Sequence, residues 1–166
     1  MTTPAPAFRP MRRRRQQLPE EQSIEILRHA TSGVLSVLGD DGYPYGVPLS
    51  YVYHDGRLIF HSAVTGHKVD AIRACNKASF CVVELDDVQA ERFTTFFRSV
   101  IAFGRIRVLE TDEEKMAAIR ILAHKYSPHA GTEATSHEIA RGFPHLLMFE
   151  LAIEHVTGKQ AKELMP

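Results

Sequence analysis

Hydrophobic and polar positions alternate with two different periods along this chain, and the switches between them mark its elements. Pro19, a residue preorganised for a first helical turn, opens a helical stretch. Glu20 and Glu21 follow it, where a helix N-terminus favours acids, and Ile24, Leu27 and Ala30 share one face. From Ser32 the period shortens. Ser32–Gly39 predicts a strand, Asp40-Asp41-Gly42 a turn, and Tyr43–Tyr53 a second strand interrupted by Pro44 and Pro48. Proline cannot donate to a sheet ladder, so this strand belongs at an edge or at a bulge. Asp55-Gly56 between two β-rich runs is a strong hairpin signal, and Arg57–Ser62 is the returning strand.

A helix follows from about Gly66 to Cys75, with Val69, Ile72 and Cys75 inward. Ala78–Leu85 reads as a strand and 86–92 as a polar loop. Thr94–Leu109 contains a long strand with an apolar centre at Ser99–Phe103. Asp112 opens a helix to about Tyr126 with Met116, Ile119, Leu122 and Ala123 on one face. Ser127–Gly131 breaks it, 132–142 form a short helix, and Leu146–Ile153 is the last strand. Six to seven hairpin-linked strands with few crossovers predict a mainly β fold, an antiparallel sheet or barrel with helices attached.

Composition fits one globular domain. The 166 residues are 44% hydrophobic and 24% charged. We expect a single domain over 17–166 and a disordered basic tail over 1–16. No apolar run approaches the ~20 residues of a membrane helix. Twenty basic residues balance twenty acidic ones, which removes an overall nucleic-acid footprint. The balance is uneven, however: ten basic against seven acidic side chains in 1–83, ten against thirteen in 84–166. Arg12–Arg15 supply most of the excess. They read either as a solvated stretch paired with acids of the same fold or as a nucleic-acid or membrane patch. Cys75 and Cys81 have neither zinc-knuckle nor CxxC spacing, and no apolar run follows the N-terminal charges as in a secretory signal. A reducing, cytoplasmic setting is expected.

Three stretches carry candidate chemistry. In Phe60-His61-Ser62-Ala63-Val64-Thr65-Gly66-His67-Lys68 a strand ends and a helix begins. Free N–H groups and the positive end of the helix dipole favour an anion there. Lys68 adds charge, Ser62 and Thr65 add hydroxyls, and His61 and His67 titrate near neutrality. The plainer reading is a helix start whose polar residues merely cap it. Tyr45–Tyr51, with Val47, Pro48, Leu49 and Ser50, offers aromatic and small residues beside backbone freed by proline, which suits a flat ligand or a covered edge strand. In Thr95–Gly104, Arg98 lies within an apolar strand and needs an anion, either a ligand or Glu84 or Asp86 of a neighbouring strand. No Walker loop, GxGxxG or GxSxG occurs, and the nine histidines lack metal-ligand spacing, so no metal site is expected.

The residues of Thr31–Gly56, Phe60–Arg73, Thr94–Glu110 and Met148–Lys159, in this order, resemble the flavin-binding split-barrel superfamily related to pyridoxamine 5′-phosphate oxidase. Within it, the chain is most similar to the 5-nitroimidazole-resistance (Nim-type) proteins. The resemblance implies a split β-barrel and a homodimer with FMN at its interface. It implies phosphate contacts near Ser62, Gly66, His67 and Lys68. The flavin ring would lie along Val47, Pro48, Leu49 and Ser50 and along Phe60, His61, Ser62 and Ala63. Ser99, Val100 and Ile101 would contribute from the central strand, within the chain or across the dimer, and Arg98 with Lys68 would favour the reduced, anionic flavin by charge. His67 is implied at the substrate side of the flavin, a role that competes with phosphate binding. The activity implied is reduction of small nitro-aromatic compounds, with the electron donor undefined. The rivals are a flavin or haem carrier without turnover, in which His61 or His67 would be an axial ligand, a general flavin reductase, and a nucleic-acid-associated protein using Arg12–Arg15.

Overall fold

A computed structural model describes residues 8–165. Eight strands and four helices follow one another along the chain. They are β1 (Gln17–Leu18), α1 (Glu20–His29), β2 (Ser32–Leu38), β3 (Pro44–Ser50), β4 (Val52–His54), β5 (Arg57–Ala63), α2 (His67–Ala74), β6 (Lys77–Gln89), β7 (Thr94–Val108), α3 (Asp112–Tyr126), α4 (Thr132–Gly142) and β8 (Leu146–Gln160). The main sheet runs β3-β2-β6-β7-β8-β5-β4, and β1 pairs with β8. Every pairing is antiparallel. β3 and β5 come close without ladder hydrogen bonds, so the barrel is split along that line. The proline-bearing strand β3 is an edge strand, as its missing donors require.

The interior is a single apolar cluster. Leu35, Leu58, Phe60, Phe80, Val82, Val100, Phe149 and Leu151 fill it from the sheet. Leu27 of α1 and Val69, Ala71 and Ile72 of α2 join it from the helices, whereas Cys75 is only half-buried. The rings of Tyr51, Phe60, Phe80 and Phe149 form a connected group, with Phe60 edge-on to Phe80 at 5.1 Å and stacked on Phe149 at 5.1 Å. A second cluster lies outside the barrel, where Ala118 and Leu122 of α3 cover Val52, Ile59, Leu109 and Met148. A capping box starts α3: the Glu114 N–H donates to Thr111 Oγ1 at 3.2 Å while the Glu114 carboxylate accepts from the Thr111 N–H.

The structure departs from the pattern-based expectations in three places. Residues 86–89 are strand, because β6 and β7 continue together as a two-stranded ribbon beyond a bulge at Glu84. Their polar character reflects exposure on both faces, and the ribbon ends at Phe93, 97% exposed with φ 50°. β8 continues to Gln160, past a register shift opposite Phe103/Gly104. Gly104 allows that shift, since a Cβ there would lie 1.9 Å from the Ala152 carbonyl oxygen. The Tyr43–Tyr53 run is broken at Tyr51, whose buried ring turns the chain from β3 into β4.

Within the segment expected as a disordered 1–16 tail, residues 8–16 lie on the fold and residues 1–7 fall outside the described residues. Phe8 stacks on His155 with ring centroids 4.6 Å apart, and Arg14–Gln16 form one 3₁₀ turn leading into β1.

Tyr51 and Tyr126 tie three segments together. The Tyr51 hydroxyl donates to the Leu27 carbonyl at 2.8 Å. The Tyr51 N–H donates to Tyr126 Oη at 2.9 Å, and the Tyr126 hydroxyl faces the carbonyls of Thr31 and Tyr51. Lys125 donates to the Ala30 carbonyl and lies 4.4 Å above the Tyr51 ring. Burial, and secondarily the neighbouring Tyr126, pushes the Tyr51 hydroxyl above its ordinary range, and burial lowers the Lys125 ammonium. The end of α3 is thus clipped to the α1–β2 junction and the β3–β4 corner. Tyr126→Phe keeps the ring but removes the acceptor of the Tyr51 N–H. We expect a loss of about 1–2 kcal/mol in urea unfolding, the cost of a part-buried amide left unpaired. An unchanged midpoint would show that the clip carries no stability.

Candidate functional site

β5 delivers the chain to the mouth of the barrel. Its side chains alternate: Leu58, Phe60 and Ser62 point inward, and His61 and Ala63 point out. The chain then turns through Gly66, which caps α2 at φ 131° with open space where a Cβ would stand. A side chain there would be strained and would fill that space, so glycine keeps the turn open. No side chain caps α2. The N–H groups of Val69 and Asp70 donate back to the Gly66 carbonyl, while those of His67 and Lys68 find no backbone acceptor among the described residues.

Ser62 ends the inward row of β5, four residues before Gly66. It is buried, yet its hydroxyl has no hydrogen-bond partner. The His67 ring stacks on Tyr45 of β3, centroids 4.1 Å apart and planes 15° from parallel. His67 Nε2 lies 3.7 Å from the Asp40 carboxylate in the β2–β3 turn. The edge of β3, the end of β5 and the start of α2 therefore meet at one place. His67 brings an aromatic pair there, and the same stretch of chain carries two free amides, the Lys68 ammonium and the buried, unpartnered Ser62 hydroxyl. Asp40 is not among the sequence candidates, and Tyr45 lies in the Tyr45–Tyr51 stretch without being assigned a role there. The alternation of β3 places Tyr45 inward with Val47 and Leu49, but only the spatial return of α2 to that strand shows what it meets.

The remaining candidates sort by strand alternation. Val47 and Leu49 pack against the core, while Pro48 and Ser50 are exposed. Phe60 and Val100 are wholly buried in the core, backbone included, so neither is open to a ligand in this chain. Ser99 and Ile101 are half-buried on the outer face of β7.

Arg98 is not brought to the α2 site. It lies on β7, separated from β5 by β8 in the sheet, and takes the plainer of its two readings: its guanidinium donates to Glu84 at 3.3 Å. It also lines two cavities, one with Gln22, Ile26, Ser32 and Val83, the other with Arg15, Gln17 and Gln160, and neither includes a residue of β5 or α2. The candidates thus form two groups, one on β3, β5 and α2 and one on β7.

The outer face between them is apolar and bare. The cross-strand row Pro48, Val34, Cys81, Ile101 and Thr157 runs over five strands. Val34 is 39% exposed and nearby Val83 63%. Burial raises the Cys81 thiol above its ordinary value. No helix of the described residues is long and apolar enough to cross a membrane. Among the same residues no three His, Cys, Asp or Glu side chains gather as metal ligands.

Comparison with known proteins agrees with this architecture. No curated protein matches the chain. Among solved structures it is similar to a candidate 5-nitroimidazole antibiotic resistance protein from Bacteroides thetaiotaomicron. The two share 19% identity at TM-score 0.70, over 87% of this chain and 86% of that one. It is also similar to an FAD-binding protein from Mesorhizobium loti, at 25% identity and TM-score 0.62, over 88% and 97%. A third is an FAD and haem binding protein from Mycobacterium smegmatis, at 18% identity and TM-score 0.70, over 89% and 74%. Residues 19–160 match the sequence model of the pyridoxamine 5′-phosphate oxidase family, and the chain, a split barrel with the strand order described above, belongs to that family.

Proposed function

We propose that this protein is a flavin-dependent oxidoreductase that holds FMN at the mouth of the barrel and reduces a small nitro-aromatic or similar electron acceptor. The observation that carries the reading is the unpartnered Ser62 hydroxyl beside the uncapped start of α2. A phosphate monoester supplies what this place lacks. It accepts from the Ser62 hydroxyl and the His67 and Lys68 amides, and the Lys68 ammonium neutralises it. The structural similarity to a candidate nitroimidazole-resistance protein and to flavin binders supports the same reading.

The flavin, when bound, supplies hydride or electron-pair transfer; the protein's part is to bind, orient and exclude. β3, as an edge strand, leaves backbone groups along Val47–Ser50 without ladder partners, and these suit the polar edge of a flat ring. We assign His67, stacked on Tyr45 and 3.7 Å from Asp40, to the acceptor side of the flavin, and the exposed ring supports that reading.

The β7 group fits the reading through a second copy of the chain. Ser99 and Ile101 adjoin the bare apolar face of Val34, Cys81 and Val83, and burying that face against its own copy would bring one protomer's β7 toward its partner's α2 site. A homodimer therefore completes what one chain leaves in two parts.

Two measurements test this. The purified protein should show the two-banded absorption of a flavin, with FMN mass on release. Lys68→Ala should weaken FMN binding about tenfold or more, the size of a lost charge-assisted contact. A Soret band would point to haem, and a colourless protein that takes up no added FMN would end the flavin reading. For the dimer, Val34→Asp with Val83→Asp should give a monomer in sedimentation and release flavin together with the partner. A folded monomer that keeps its flavin would place the whole site within one chain.

A further inference from the structure

We propose that the arginine turn at the N-terminal edge of the barrel is a nucleotide-binding site, separate from the α2 site. Arg12, Arg13, Arg14 and Arg15 converge with Lys162 and Met165 on one cavity of about 540 Å³, within the usual range for small-ligand sites. Among the described residues none of the four arginines has a carboxylate within 4 Å, although the sequence contains as many acids as bases. The nearest acid on the cavity's margin is Glu163. It lies 3.8 Å from Lys162 and lines the adjoining cavity with Arg15. Among the described residues, self-pairing, the ordinary fate of a basic run, is thus not seen for these arginines.

A second, independent observation narrows the ligand. Gln16 lines the same cavity, is 8% exposed, and its side-chain oxygen is buried with no donor. A bare phosphate or pyrophosphate would satisfy the guanidinium groups and leave that oxygen unpaired, since it brings no donor. A nucleotide brings both kinds of group: phosphate oxygens for the arginines, and ribose hydroxyls or a base amine for Gln16. The turn is held in place for this task, because the Gln16 N–H donates to the Arg13 carbonyl at 3.0 Å and β1 pairs Gln17 and Leu18 with Lys159 and Gly158.

The observations favour a free nucleotide over a nucleic-acid strand. A strand needs a basic stripe that tracks its backbone. Here the four arginines and Lys162 line one cavity, with Arg15 reaching the adjoining one, and the chain as a whole is neutral. The inference does not depend on the flavin reading.

Calorimetric titration of the full-length protein with ADP and with inorganic pyrophosphate tests it. ADP should bind more tightly than pyrophosphate, and both should weaken as salt rises. Arg13→Ala with Arg14→Ala should weaken both about tenfold or more. Gln16→Met, which keeps the volume and removes the amide, should bring ADP down toward pyrophosphate and leave pyrophosphate unchanged. If that buried substitution prevents folding, the ADP-to-pyrophosphate ratio of the unaltered protein decides. No ADP binding, or ADP no tighter than pyrophosphate, overturns the proposal. So does displacement of ADP by a single-stranded oligonucleotide that binds more tightly than ADP itself. Uptake of added FMN, read by absorbance on the same samples, separates this outcome from the other: a protein that takes up no FMN yet binds ADP refutes only the α2 assignment.

Discussion

The aromatic group of Tyr51, Phe60, Phe80 and Phe149 at the centre of the barrel is the contact on which the remaining structure depends. These four rings come from the β3–β4 corner, β5, β6 and β8, so one packed cluster holds strands that are far apart in sequence. Such rings bury large areas and prefer tilted or offset geometry, so they fix strand register as well as supplying stability. Once Phe60 is locked inward, strand alternation leaves no freedom two residues on. Ser62 must also face in, and His61 must face out. The α2 site inherits its geometry from the core in this way: the hydroxyl at the barrel mouth is placed by a phenylalanine that never reaches the surface.

Closing the barrel around this cluster sets the demand on the other face of the sheet. Strands covered on one side alternate apolar and polar, and β4, β5 and β8 gain a second cover where α3 lies on Val52, Ile59 and Met148. β2, β6 and β7 carry apolar residues outward with no such helix, except where Phe8 lies over Phe103 and His155. The sheet is therefore built as though buried on both sides along its whole width, while the described residues provide cover for only part of it. That mismatch between pattern and cover is the physical basis for reading the bare face as a contact with a second copy.

Much of this was legible in the residues. Asp55-Gly56 sits at positive φ in a two-residue hairpin, and Pro44 and Pro48 mark an edge strand. Pro19, Gly66 and the break after Tyr126 bound helices close to where periodicity puts them. The errors share one cause, which is that long-range partners are invisible to local pattern. The polar run 86–89 is strand because β7 pairs with it, and β8 outlasts its apolar stretch because Thr157–Gln160 still have β7 beside them. Thr111 and Glu114 carried a readable capping signature, while the stacking of Tyr45 on His67 had none. Arg98 posed a choice that sequence could frame but not decide. Glu84, just before the register shift at Leu85, decides it.

Among the described residues three buried side-chain atoms lack a hydrogen-bond partner: Ser62 Oγ, Gln16 Oε1 and Arg98 Nε. Each such atom costs on the order of 1–3 kcal/mol when it is left unmade. A fold that satisfies the Tyr51–Tyr126 corner so fully has no steric reason to leave these three open. They are not scattered. Ser62 lies at the uncapped helix start, Gln16 lines the arginine cavity, and Arg98 lines the cavities between α1 and β7. Unsatisfied groups that coincide with openings are the expected mark of places completed by something outside the chain. The energy withheld from folding at these positions is then available to binding.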